Sequence, residues 1–569
     1  MFDLIIRGGD VIDGTGAPRR RTDLGINGQR IAAIGDLSSA EATSIIDATG
    51  RVVTPGFVDV HTHIDAQAFW DTTLSPSPLH GITTVIAGNC GFSISPLSDD
   101  PSDGQYLMRM LARVEGMPLE TLEVGVPWNW KTTAEYLDAL DGTLAINAAF
   151  KVGHSTLRRV VMGADATKRT ATAEEIAAMC DLLRAGLTAG AIGFSSSWST
   201  THNDADRNMV PSRYSDREEL LALCAVLADF DGVSLEFIPC IGQFEPWVGE
   251  LMAEMSVVAK APLNWNVLTV IAKTLPDCKA KLEVSDVATA RGATVRALTV
   301  PFRLHIRLCI GSGFILDAIP GWEEVMLLPR EDKIAIFSDP VERARLGELA
   351  AGRHSVRHLT NWAELMIFDT VAPENKQYEG RKIGEIAAER GQSAWDALCD
   401  INLADGLLTS FGTPPIEEGD EDWEARLEVW RDERAVIGAS DAGAHLDMFI
   451  SSHYTTKMLG EAVVKRKLIS MEEAVHLLTA VPADLYGVVD RGRIVEGAYA
   501  DVLVIDEERV GAGPDVMKAD LPAGASRLYA DAMGIDSVVC NGVEIVRDNE
   551  FTAARPGIVL RSGRDTHSN

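Results

Sequence analysis

Two histidines one residue apart, His61 and His63, close the run Gly56-Phe57-Val58-Asp59-Val60-His61-Thr62-His63. In an extended strand, side chains at i and i+2 point to the same side, so both imidazoles face one way. Nitrogen donors held that closely suit zinc or a similar divalent metal. The turn-forming Thr54-Pro55-Gly56 ahead of them and the apolar Phe57, Val58 and Val60 put the pair at a buried strand end, not in a surface loop. Cys90, in Ala87-Gly88-Asn89-Cys90-Gly91, ends a second strand-like run. It reads either as a thiolate ligand to the same ion or as a buried core thiol. Asp441 follows a third apolar run, in Gly438-Ala439-Ser440-Asp441-Ala442-Gly443-Ala444-His445. Beside a metal, its carboxylate can ligate the ion, take a proton from attacking water and pass it to a leaving group; away from one, it is a helix N-cap. His445 reads as a neighbour of such a site or as solvated.

Four other residues are weaker candidates for substrate contact. His154 ends the run Lys151-Val152-Gly153-His154-Ser155, where a hydrogen-bonded structural role competes. Arg213, in Val210-Pro211-Ser212-Arg213-Tyr214, could pair with a substrate carboxylate through its guanidinium. Arg303 and His305 alternate with Arg307 after the seventh strand candidate, and either basic group could equally be a salt-bridged surface.

Eight apolar runs alternate with helical stretches and must position these residues: Gly56–His63, Ile82–Gly91, Ala145–His154, Ala191–Ser196, Gly232–Pro239, Pro262–Leu268, Thr294–Pro301 and Ala435–Asp441. Eight βα units close a TIM-like (β/α)8 barrel whose site lies at the C-terminal strand ends. A helix-rich insertion is expected at about residues 310–430, over the barrel mouth. Both chain ends are β-rich, with strands read at Leu4–Arg7, Asp10–Ile12, Arg30–Ile34, Ser44–Asp47, Ala500–Asp506 and Ser537–Val546. The expected α/β organisation is a small composite β-sandwich from residues 1–54 and 490–569, with the barrel at 55–489.

Composition narrows the function. A net charge of −31 argues against nucleic acid or an anionic membrane as partner, because both need basic patches. There is no apolar run long enough for a membrane span and no Cys-x-x-Cys pair among the eight scattered cysteines, and Met1–Gly9 shows no basic segment followed by a long apolar one, so no signal peptide is expected. A cytoplasmic enzyme with a small-molecule substrate follows; a homo-oligomer stays open.

Together these blocks resemble the amidohydrolase superfamily, and within it the D-aminoacylase (N-acyl-D-amino-acid deacylase) branch. The resemblance rests on Asp3–Gly16, Val53–His63, Gly81–Gly91, Asn147–Arg158, Gly190–Ser195, Gly438–Asp441 and Glu496–Val504. It implies a metal-dependent barrel hydrolase in which His61, His63 and Asp441 surround the weaker metal position, Cys90 helps hold the tighter zinc, and Asp441 shuttles the proton. The branch takes two more zinc histidines from strands five and six, and here neither strand has one. Glu236 is the candidate replacement ligand on strand five, and Asn264 or Asn266 on strand six.

The expected function is therefore hydrolysis of an amide C–N bond, in an N-acyl amino acid or related N-acyl amine, with one Zn2+ favoured over two and another divalent metal as the variant. The alternatives are a cyclic-amide (hydantoin- or lactam-like) hydrolase and a catalytically inactive ligand-binding relative.

Overall fold

The computed structural model describes residues 1–568 apart from Ile241, Phe314 and Ser355. Each of the eight runs contains a strand. These are strand one Phe57–Asp59, two Ile82–Ala87, three Asn147–Phe150 continued by Val152–Gly153, four Gly193–Ser197, five Ser234–Ile238, six Leu263–Leu268, seven Val295–Thr299 and eight Ala435–Ile437. All neighbours pair in parallel: one with two with three, then three with four and onward to eight. Past strand eight the ladder returns to strand one. Asp441 N–H donates to His61 O at 3.1 Å, His63 N–H donates to Ala442 O at 2.7 Å, and Thr62 and Ala442 form a parallel bridge.

Strand five shows how the sequence sets the two faces. Leu235 and Phe237 are fully buried against the apolar core shared with helices Arg217–Val226 and Pro246–Ala259, so Glu236 between them points the opposite way. Glu236 lies opposite Asn264 and Phe237 opposite Trp265. Trp265 packs into the same outer core, so Asn264 and Asn266 share the inner side with Glu236. That settles a question the period of two alone leaves open.

Connecting helices begin where the sequence provides caps. Thr172 starts helix Ala173–Thr188 with a reciprocal Thr172–Glu175 capping box, and the Asp216 carboxylate accepts from Glu219 N–H to start the next.

Both chain ends enter one nine-stranded sheet in which Val52–Pro55 lies between Phe2–Val11 and Val502–Ile505. The stretches read as two strands, Leu4–Arg7 and Asp10–Ile12, are one strand, Phe2–Val11. Its Gly8-Gly9 pair makes a bulge where the register shifts between Ile6 and Gly9, with Gly8 at φ +77°. Strand Arg20–Asn27 was not foreseen, because it opens on the charged, exposed Arg20 and Arg21.

The helix-rich excursion has its own core, around Trp322, Phe337, Leu346, Leu398 and Phe411, and a three-stranded antiparallel sheet. It ends earlier than expected. Helix Asp420–Trp430 packs Trp423, Ala425, Val429 and Trp430 into the cores of the parallel strands and leads directly into strand eight. Among the described residues no helix is long and apolar enough to cross a membrane, and all eight cysteines are free.

Candidate metal centre

His61, His63 and Cys90 meet at the C-terminal ends of strands one and two. One ligand atom from each lies within 4.8 Å of the other two, in the one such His/Cys/acid cluster among the described residues. Cys90 Sγ is 3.5 Å from Nε2 of both histidines. A tetrahedral zinc with metal–N of about 2.0–2.1 Å and metal–S of about 2.3 Å gives N···S edges of about 3.5 Å, so the trio fits that ion. Asp441 adjoins the two histidines, its Oδ1 3.0 Å from His61 Nε2 and 3.6 Å from His63 Nε2. The histidine side chains are 2% exposed and that of Asp441 28%, so Asp441 is the member that solvent and substrate reach.

The backbone is strained where these groups are presented. Cys90, Ala439, Asp441 and His445 all hold positive φ, at +58°, +69°, +54° and +51°. Non-glycine residues rarely adopt this region, and such strain gathers at functional sites. Gly443 has a steric requirement: at φ +96°, a Cβ there would lie 2.4 Å from His63 O.

The electrostatics call for a cation. Burial raises the carboxyls of Asp59 to about 7, Asp65 to about 6, Glu115 to about 7 and Glu236 to about 8. Burial also opposes charge on His63, but Glu115 and Asp441 outweigh it and lift that imidazole to about 9. Despite burial, hydrogen bonds from His61 and His63 hold Asp441 well below the usual carboxylate range. Burial, reinforced by Glu236 and Glu115, pushes the Cys90 thiol up. A dication reverses that preference, because a coordinated thiol is deprotonated outright. The donor set fits a soft-to-borderline divalent ion.

The other expected residues lie elsewhere. Glu236 is outside the trio: Oε2 accepts from Cys90 N–H at 2.8 Å and Oε1 accepts from Asn266 Nδ2, so it braces the cysteine. His154 is fully buried and engaged on both ring nitrogens, with Ser196 Oγ and Glu219 Oε1 each at 2.8 Å, leaving no atom for a substrate. Arg213 Nη1 donates to His202 O at 3.1 Å and Asn203 Oδ1 at 2.9 Å, which fixes the loop after strand four. Arg303 is exposed and its backbone N–H donates to Glu418 at 3.2 Å; His305 Nε2 donates to Thr413 O at 2.9 Å. Those two belong to the base of the insertion.

Three further groups lie near the centre. Glu115, just past helix Pro101–Val114, sets Oε2 3.6 Å from His63 Nε2 and 3.9 Å from His445 Nε2. The helix-ending Glu115-Gly116-Met117-Pro118 was the available signal. His202, on the loop after strand four, has Nδ1 2.9 Å from Ser197 Oγ, and burial pulls its pKa to about 3, so the ring is neutral. Lys151 is 2% exposed, and burial lowers its ammonium to about 8.

Comparison with known proteins gives the family of the chain. N-acyl-D-glutamate deacylase of Alcaligenes xylosoxydans xylosoxydans is 31% identical, over 98% of this chain and 96% of that one. The Bordetella bronchiseptica N-acyl-D-glutamate deacylase, solved with zinc and a phosphonate mimic of the tetrahedral intermediate, is 27% identical at a TM-score of 0.65, covering 98% of this chain and 99% of that one. A D-aminoacylase solved to define the functional role of its binuclear metal center, with one-metal activation and second-metal attenuation, is 27% identical at a TM-score of 0.64, covering 99% of this chain and 100% of that one. The Amidohydrolase family model matches residues 44–546. A match of that extent, in a chain whose paired histidines and cysteine converge at one point, makes this protein a member of the amidohydrolase family.

Proposed function

We propose that the chain is a metal-dependent hydrolase that cleaves the amide bond of N-acyl-D-amino acids, with one zinc ion held by His61, His63 and Cys90. The observation that carries the reading is the 3.5 Å spacing of Cys90 Sγ from both histidine Nε2 atoms, with a carboxylate adjoining. The substrate class is supported by relatives of near-equal length that deacylate N-acyl-D-amino acids. The eight strands form a TIM-like barrel over about residues 55–489, the insertion stands above its mouth, and the two chain ends fold into a small sandwich. Free thiols throughout support a reducing, cytoplasmic setting.

A divalent ion at this trio supplies Lewis-acid polarisation of the acyl carbonyl and lowers the pKa of a water toward ~7. Asp441 takes the proton of the attacking water and returns it to the departing nitrogen. Its carboxylate is in the ionised form that a proton acceptor needs, and its partial exposure gives it access to substrate. With the ion held at the Nε2 atoms of His61 and His63, Asp441 would lie beside it, its Oδ1 next to the same two nitrogens. Glu115 is buried on the same side of that imidazole, its Oε2 3.6 Å from His63 Nε2.

The test is amine release from paired N-acetyl-D- and N-acetyl-L-amino acids and from a hydantoin. Turnover of the D series is expected. Turnover of the hydantoin without the acyl amino acids would replace this reading with the cyclic-amide one.

A further inference from the structure

We propose that Lys151 is the resident cation of the strand-five and strand-six half of this site, its ammonium taking the place of a second metal ion and bracing the Cys90 ligand. The proposal rests on the metal reading above. It starts from a closed circuit of hydrogen bonds. Lys151 Nζ donates to Asn89 Oδ1 at 2.7 Å and to Tyr486 Oη at 3.2 Å. Tyr486 O–H donates to Asn264 Oδ1, and Asn264 Nδ2 donates to Asn266 Oδ1 at 3.2 Å. Asn266 Nδ2 donates to Glu236 Oε1, and Glu236 Oε2 accepts from Cys90 N–H at 2.8 Å. Asn89, next to Cys90, returns the circuit to Lys151.

Every member is 5% exposed or less. Both asparagine carbonyl oxygens and both Glu236 oxygens already accept a hydrogen bond, so a second ion would have to compete with this network for its oxygen donors. The nitrogens facing them are amides, which bind no zinc. Lys151 is the one cationic side chain in this buried circuit, and it supplies a unit of positive charge there. The same ammonium fixes Asn89, whose Nδ2 donates to Thr62 O and Ile86 O at 3.0 Å each. Those carbonyls flank the histidine pair and the second strand, so Lys151 holds Cys90 against His61 and His63 as a positioning residue.

The experiment is to equilibrate the full-length protein with excess zinc, remove free metal by gel filtration and count zinc per chain by elemental mass spectrometry. Wild type is expected to hold one ion. Lys151→Met is expected to hold two, because the circuit opens at Asn89 and Tyr486 and loses its one positive charge, and Lys151→Met with Glu236→Gln to return to one. Two ions in wild type, or one in a Lys151→Met protein with a native circular dichroism spectrum, would overturn the proposal. Should Lys151→Met not fold, Asn264→His takes its place: with the ammonium still present, one ion is expected despite the added imidazole, and two would overturn it. Zero ions in wild type would instead defeat the metal reading on which the proposal rests.

Discussion

Replacing Asp441 by asparagine removes one charge from the site while keeping its shape. Asp441 sits at φ +54°, and Asn adopts that region more readily than most residues, so the loop after strand eight should hold. In the native site Oδ1 lies 3.0 Å from His61 Nε2 and 3.6 Å from His63 Nε2. An amide oxygen keeps these contacts but cannot take a proton from water. A positioned general base contributes about 10²–10⁴ in rate, and each tenfold corresponds to about 1.4 kcal/mol, so the barrier should rise by about 3–5 kcal/mol. The loss belongs in kcat, with KM changed little, because Asp441 acts on the reacting atoms rather than on the acyl chain. Steady-state kinetics on an N-acyl-D-amino acid, with zinc counted in the same sample, would measure it. A variant that retains its zinc and turns over within tenfold of wild type would refute the proton-carrier role.

Other perturbations follow from the surrounding structure. Glu219 binds His154 at 2.8 Å and pairs with Arg158 in a fully buried cluster, so Glu219→Gln should cost about 3–5 kcal/mol in urea unfolding with KM unchanged; a raised KM would return His154 to the substrate site. Gly443→Ala forces a Cβ to within 2.4 Å of His63 O at φ +96°, and should lower both the melting temperature and the zinc retained after dialysis; unchanged zinc content would contradict the close packing there. His80 is neutral, between Thr456 Oγ1 at 2.7 Å and Ala530 O at 3.0 Å, and burial lowers its pKa to about 4 from an unfolded value of 6.5. The unfolded chain therefore binds more protons between those values. Stability should be full above pH 6.5 and fall toward pH 4 by about 3 kcal/mol from this side chain. His80→Gln should flatten that part of the curve, and an unaltered slope would argue against it.

Much of the framework was legible because it follows from short-range pattern. Strand candidates showed as apolar runs between Gly and Pro signals, and the His-x-His pair, Cys90 and Asp441 each followed such a run. What was not legible depends on contacts between distant segments. Glu236 looked like a ligand because a carboxylate on an inner strand face is a good one. Its real partners, Cys90 N–H and Asn266, are 146 and 30 residues away. Lys151 was passed over for His154 three residues later, although Lys151 enters the site and His154 turns toward Glu219. Glu115 lies on a loop between strands two and three, where periodicity carries no information about direction. Gly8-Gly9 read as a turn because glycine marks both turns and bulges, and only cross-strand register separates them.

The most direct measurement is hydrolysis of an N-acyl-D-amino acid against zinc content, after the metal is stripped with a chelator and returned in steps. The account predicts that activity disappears with the metal and climbs back linearly, levelling at one zinc per chain. Full activity in metal-free protein, or no hydrolysis at any zinc level, would contradict it.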